Sequence, residues 1–276
     1  MNRIIFLSCM TSLLTLTACG GGGSGGGPVP GSSPSSPPPT SGVSLDCNTP
    51  DVVKTSGVDA LPGGLWSGSV INCVTSARSD YAQAWVTEDG RFRIFGPDRL
   101  LLRGQLGTDG DTFSGSGREF AYSGAVDQSS TSLVTAGSIA ERASLDGRWS
   151  TDTGFNGVIA LHYDPGYHIQ PSSFDELPGA RSTWILNSNV LGIWTIEPDG
   201  RFNGQDEVGC AQSGHFALID ARYNLYELEY TVVGCAEAGS YSGLATVGRD
   251  GLTGDRLLDI SADDGNQRAL RIIIYF

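Results

Sequence analysis

Trp85-Val86-Thr87-Glu88-Asp89-Gly90-Arg91-Phe92 reads as two extended segments meeting at an Asp-Gly turn, and it recurs as Trp194-Thr195-Ile196-Glu197-Pro198-Asp199-Gly200-Arg201-Phe202. Asp-Gly between alternating apolar residues is a strong short-range signal for a β-hairpin. Ala84 and Val86 share one face before the first turn; Phe92 and Ile94 share it afterwards, alternating with Arg91, Arg93 and Phe95. Farther on, Tyr226, Leu228, Tyr230 and Val232 alternate with Leu225, Glu227, Glu229 and Thr231. This period of two is that of strands with one face in a core.

The repetition extends outward from the hairpins. Leu61-Pro62-Gly63 with Trp66 close behind returns as Leu177-Pro178-Gly179 with Trp184, and Thr112-Phe113-Ser114-Gly115 returns as Ser240-Tyr241-Ser242-Gly243. Offsets differ, so loops vary while element order persists. That pattern predicts a duplicated unit, with boundaries at 43–170 and 171–276. Glycine supplies 39 of 276 residues, roughly twice ordinary usage. Since each interior Gly costs a helix about 1 kcal/mol relative to Ala, long helices are excluded. Turn clusters about every 8–12 residues fit an all-β sandwich or barrel. The one helix signal is the capping-box pattern Ser173-Phe174-Asp175-Glu176, stopped by Pro178 and Gly179. Most of the five Trp, nine Tyr and ten Phe are expected to be core.

Three Gly-x-Trp triplets stand out: Gly64-Leu65-Trp66, Gly147-Arg148-Trp149 and Gly192-Ile193-Trp194. A short helical turn followed by Gly-x-Trp on a first strand resembles the entry to lipocalin and avidin-like barrels. That resemblance implies two consecutive small antiparallel up-and-down β-barrels, with a Trp plugging one end. Only Trp66 matches the first-strand position, so no pocket role passes to Trp149 or Trp194. The terminal run Leu270-Arg271-Ile272-Ile273-Ile274-Tyr275-Phe276 ends in an aromatic, as integral outer-membrane barrels do. It is read instead as the closing strand of the second barrel, with Arg271 facing out.

Before these units comes an address. Arg3 precedes the apolar stretch Ile4 to Leu16, which is too short for a membrane span of about 20 residues. It ends in Leu16-Thr17-Ala18-Cys19, which resembles the bacterial lipobox. The resemblance implies a signal peptide over 1–18, cleavage before Cys19, and a diacylglycerol anchor and palmitate on Cys19. The competing reading is a secretory signal with an incidental Cys. Gly20 in place of Asp is similar to outer-membrane lipoproteins, on a periplasmic or surface face. Residues 19–42 form the lipidated Cys and a Gly/Ser/Pro-rich tether, flexible in its first part and stiffer in its second. Together these features resemble uncharacterised bacterial lipoproteins that carry tandem barrels behind a Gly/Pro tether.

Six Cys are present. Cys9 leaves with the signal and Cys19 takes lipid, so four remain in an oxidising compartment and two disulfides follow. Of three connectivities, Cys47–Cys73 and Cys210–Cys235 are expected, one per unit. The midpoint of the second pair falls in Asp220-Ala221-Arg222-Tyr223-Asn224, the expected turn, which would set the two Cys directly opposite each other. No Cys-x-x-Cys exists and His215 is the nearest His, so a metal site is not expected.

Catalytic patterns are missing. There is no Gly-x-Ser-x-Gly elbow outside the glycine run of the tether at 20–27 and no Ser-x-x-Lys, Lys54 being the only lysine. His162, His168 and His215 share no triad-like spacing. Asp109-Gly110-Asp111 opens like a calcium loop, but Phe113 and Ser114 break it. Asp259, Asp263 and Asp264 could hold calcium or simply form a solvated turn. No catalytic residue, metal or cofactor is therefore expected. Loss of Arg3 with the signal takes the formal net charge from −13 to −14, which argues against nucleic acid. The expectation is a non-enzymatic, membrane-tethered protein that binds an unknown protein or small ligand. The alternatives are an inhibitor or immunity protein against a cationic cell-wall hydrolase, or an envelope assembly factor.

Overall fold

The computed structural model describes residues 47, 54–55, 57–96, 100–121, 130–177, 179–185, 190–207, 209–250 and 253–276, with backbone alone for 121, 180–185, 190 and 191. The signal (1–18), Cys19, the tether to residue 42, Pro178 and the Trp184 side chain lie outside what is described. Among the described residues no helix is long and apolar enough to cross a membrane.

The chain is all-β. Eight strands come first: β1 (Gly64–Asn72), β2 (Arg78–Val86), β3 (Arg91–Phe95), β4 (Leu100–Asp109), β5 (Thr112–Ala121), β6 (Ser130–Ala140), β7 (Ser144–Thr151) and β8 (Asn156–Tyr163). Each pairs with its sequence neighbour, and β1 pairs with β8 from Trp66↔Tyr163 to Asn72↔Gly157, closing an up-and-down barrel. A connector follows, with a one-turn helix α1 (Pro165–His168) and a 3-10 turn at Phe174–Glu176. The second sheet comprises β9 (Ala180–Ile185), β10 (Val190–Ile196), β11 (Arg201–Asp206), β12 (Ala211–Leu218), β13 (Tyr226–Val233), β14 (Gly239–Arg249), β15 (Arg256–Asp263) and β16 (Ala269–Tyr275). It curls through β10–β16, and β9 bridges its ends, meeting β16 only from Ile272↔Ile185 to Ile274↔Thr183.

Period-2 alternation fills both interiors. Ala82, Ala84, Val86, Phe92 and Ile94 point into the first barrel, and Tyr226, Leu228, Tyr230 and Val232 into the second. Trp66 plugs the first barrel at the β1 entry, 2 % exposed and edge-on to Tyr163 at 5.5 Å. The capping-box stretch forms only the 3-10 turn: Ser173 makes no side-chain cap bond, and Glu176 pairs instead with Arg256.

The two hairpins match one residue out of step with the quoted phrases. Thr87 N–H donates to Arg91 O and Glu197 N–H to Arg201 O, so Thr87 is the counterpart of Glu197. Trp194 therefore corresponds to Ala84, and Trp85 to Thr195. Trp194 points into the second core, whereas Trp85 points out of the first barrel. A one-residue slip reverses the face of every side chain in a strand, and the extra Pro198 conceals it in the sequence.

Both Asp-Gly turns depend on backbone that L side chains avoid. Gly90 and Gly200 have φ of +86° and +85°. Each carbonyl accepts a neighbouring-strand N–H, from Leu106 and Phe216 respectively. A Cβ would lie 2.3 Å from Leu106 O at Gly90 and 2.5 Å from Phe216 O at Gly200. Gly90→Ala and Gly200→Ala should each cost about 1–3 kcal/mol, read as a drop in thermal midpoint by circular dichroism. The exposed tip substitution Asp199→Ala should lower it less.

Candidate functional site

Cys47–Cys73 and Cys210–Cys235 are both disulfide-bonded. The β12–β13 turn falls where expected, but the register runs from Ala211↔Val233 to Leu218↔Tyr226. Cys210 and Cys235 thus sit one step off direct opposition, and their bridge closes just beyond the ladder. The Glu237 carboxylate lies near both sulfurs, yet sulfurs spent in a disulfide offer no thiolate to a metal.

The acidic run does not behave as a solvated turn or an open cation loop. Asp259 and Asp263 are 5 % and 3 % exposed. Asp264 caps the β15–β16 turn, accepting from the N–H groups of Asn266, Gln267 and Arg268. Asp109 and Asp111 engage Lys54 and Thr55. Arg271 does face out of its barrel, but its guanidinium clasps Asp259 and lies 4.3 Å from the Phe95 ring of the other barrel.

These contacts belong to a seam between the barrels, the feature the sequence reading missed. Outward-facing Leu65, Trp85, Phe95, Leu101 and Phe120 of the first barrel pack with Leu225, Leu244 and Ala269 of the second. Trp85 meets Phe95 edge-on at 4.8 Å. Each large side chain buried here contributes about 1.5–3 kcal/mol. A signal was present: Leu100-Leu101-Leu102 and Ile94-Phe95 carry apolar residues at both parities, as strands covered on both faces do.

Inside the seam Asp263 answers two cations. Its Oδ2 lies 2.7 Å from Arg93 Nη2, its Oδ1 lies 3.1 Å from Arg103 Nη2, and Oδ1 also accepts from Gly265 N–H. Arg93, 6 % exposed, donates further to Ser261 Oγ and the Ser242 carbonyl. Arg91 reaches across to Glu227. Beside this network opens a cleft of about 360 Å³, lined by Arg91, Arg93, Arg103, Ser116, Ser242 and Asp263 among others.

A second polar knot ties the connector to both barrels. Tyr163 Oη is 2.7 Å from His168 Nδ1, and the His168 ring stacks on Tyr223 at 4.4 Å. Arg142 donates to the Tyr163 hydroxyl at 2.8 Å, the Tyr223 hydroxyl at 2.9 Å and Glu88 at 3.2 Å. Burial, helped by the Arg142 charge, pushes His168 down to about 4, so its ring is neutral. Burial likewise raises Glu88, against the opposing pull of Arg142. With its rings and hydroxyls committed to other protein groups, this knot fastens the connector to both barrels. His162, next to Tyr163 on β8, and His215, on β12, are not among the groups that form it.

The barrel interiors are occupied by their own side chains. In the second, Trp194 stacks on Phe202 at 4.2 Å and its indole N–H donates to Gln212. In the first, the indole nitrogens of Trp66 and Trp149 have no partner and press against Gly64 and Gly157. Glu119 is buried there too, its Oε2 unpartnered, and burial alone pushes its carboxyl up to about 7.

The geometry defines an all-β pair of barrels joined face to face. No family model, no curated protein and no solved structure matches this chain.

Asp263→Leu should strand Arg93 and lower the unfolding free energy by about 3–5 kcal/mol. Adding Arg93→Met should recover part of that loss in urea titrations. The two shifted groups tilt stability in opposite senses. His168 has its folded value below the ordinary 6.5, so the unfolded chain takes up the proton first and stability falls as pH drops from about 6.5 to about 4. Glu119 has its folded value above 4.5, so stability falls as pH rises from about 4.5 to about 7. In thermal melts against pH, His168→Gln should flatten the acid limb. Glu119→Gln should raise the midpoint at pH 8 and leave it unchanged at pH 4.

Proposed function

We propose that this chain is a lipid-anchored protein of the bacterial envelope that acts by binding, without catalysis, through the outer surfaces of its paired barrels. The observation that carries the reading is the filling of both interiors by packed aromatic and aliphatic side chains. A small eight-stranded barrel can hold one ligand or its own side chains; here the side chains hold the space. Recognition then falls to outer faces and loops, where the clefts among the described residues open to solvent. The lipobox ending in Cys19 and the tether to residue 42 supply the address and the reach.

The inhibitor reading has one observation of its own. An open depression of about 760 Å³ on the second barrel is lined by Glu197, Asp199, Arg201, Asn203 and Ser213, and it is acidic at its hairpin end. It would suit a basic protrusion of a cationic hydrolase.

One pull-down from solubilised envelope at low salt addresses both readings. Binding through outer surfaces predicts a recovered partner, and Glu197→Lys should lose it if that partner is cationic. A partner retained by Glu197→Lys counts against the inhibitor reading. Recovery of nothing, by protein or small-molecule analysis, counts against both. Wild-type protein should incorporate labelled palmitate and Cys19→Ser should not; labelling of Cys19→Ser would reject the anchor.

A further inference from the structure

The outer face of the first barrel carries an arrangement that its own residues do not balance. Arg93 on β3 stands directly opposite Arg103 on β4, and Arg103 stands directly opposite Arg118 on β5. Like charges in direct cross-strand opposition repel, and here three occur in a row. One carboxylate, Asp263, answers the first two. Arg118 finds a neutral partner, the Ser130 hydroxyl at 2.7 Å. Asp264, the next acid along, is turned to backbone N–H groups of its own turn. Arg91 lines the same cleft but is engaged by Asp89 and Glu227. Arg103 is left with a buried Nε that has no hydrogen-bond partner among the described residues. Burial and the neighbouring Arg93 and Arg118 charges both disfavour its charged form, against the pull of Asp263.

The cleft of about 360 Å³ opens at this point, floored by Gly104 and Gly117 and edged by the Ser116 and Ser242 residues. Glycines bring backbone close to whatever enters, and serine hydroxyls and Gln105 add neutral hydrogen-bonding groups. Guanidinium forks match the two-oxygen geometry of carboxylate and phosphate. In a chain of net charge −13, a row of three arginines, two of them ion-paired to one carboxylate, is a specific feature rather than a general property of the surface, while Glu227 lines the cleft through its pair with Arg91.

We propose that this inter-barrel cleft binds a small free oxyanion, a phosphate- or carboxylate-bearing solute, with Arg103 as its principal contact and Arg118 beside it. The inference deepens the binding reading given above by naming a ligand class for one outer face. It stands apart from the pull-down, because a protein partner can be absent while the anion binds, and the reverse.

The test is calorimetric titration of the full chain with inorganic phosphate and, separately, with citrate. A third arm uses phosphatidylglycerol vesicles. Saturable binding of phosphate or citrate is expected. Arg103→Gln should weaken it by at least about tenfold. Ser116→Asp, an exposed change that sets a carboxylate in the cleft mouth and leaves the Asp263 network intact, should abolish it with the thermal midpoint preserved. The proposal is overturned if neither anion binds saturably, if Ser116→Asp binds as wild type does, or if only vesicles bind.

Discussion

A carboxylate sealed between two barrels sets the terms for the rest of the molecule. Asp263 sits at the end of β15, 3 % exposed, where Arg93, Arg103 and the Gly265 N–H meet it. Two charges removed from water cost several kcal/mol each before they attract one another. Such a pair therefore specifies an arrangement more than it adds stability. The barrels must meet in the one register that brings β3 and β4 to β15, or the charges go unmatched. Around that fixed point the apolar plate of Trp85, Phe95, Leu101 and Phe120 supplies the favourable burial. Left uncovered, it would be a contiguous hydrophobic patch of the sort soluble surfaces avoid.

What could be read from the chain in advance was what is local. Hairpins announce themselves through Asp-Gly, core faces through alternation, and the two disulfides through cysteine position. The slip between Trp85 and Trp194 shows the limit of that reading. Similar phrases suggested equivalent tryptophans, yet one inserted proline moved them to opposite faces. The seam and the His168 knot were harder still. Arg93 and Asp263 are 170 residues apart, and nothing in either neighbourhood names the other. The acidic run at 259–264 looked solvated because acids usually are; it took the partner barrel to reveal two of its members as buried. The doubled apolar parity of Ile94-Phe95 and Leu100-Leu101-Leu102 was the visible trace of the contact.

The two barrels, though repeats of one plan, handle buried polarity differently. The second pairs its interior Trp194 with Gln212, while the first leaves two indole N–H groups and the Glu119 Oε2 without a partner among the described residues. Unpaired buried groups are costly, so the first barrel has more stability to gain from substitution of its interior. It also contributes most of the cations around the seam cleft.

The Cys47–Cys73 bridge has a mechanical meaning. Cys73 follows immediately on β1, at the start of the turn into β2. Any pull arriving along the chain from residues before Cys47 passes through the sulfur atoms straight to the far end of β1. Residues 54–63, which lead into β1, are spared that tension because the bridge delivers it at Cys73. The load is then applied to a strand hydrogen-bonded on both sides, to β2 and β8, so many bonds must shear together instead of peeling one by one. The covalent bridge thus acts as a strain relief, with the drag on the folded body taken up at a seam of the first barrel.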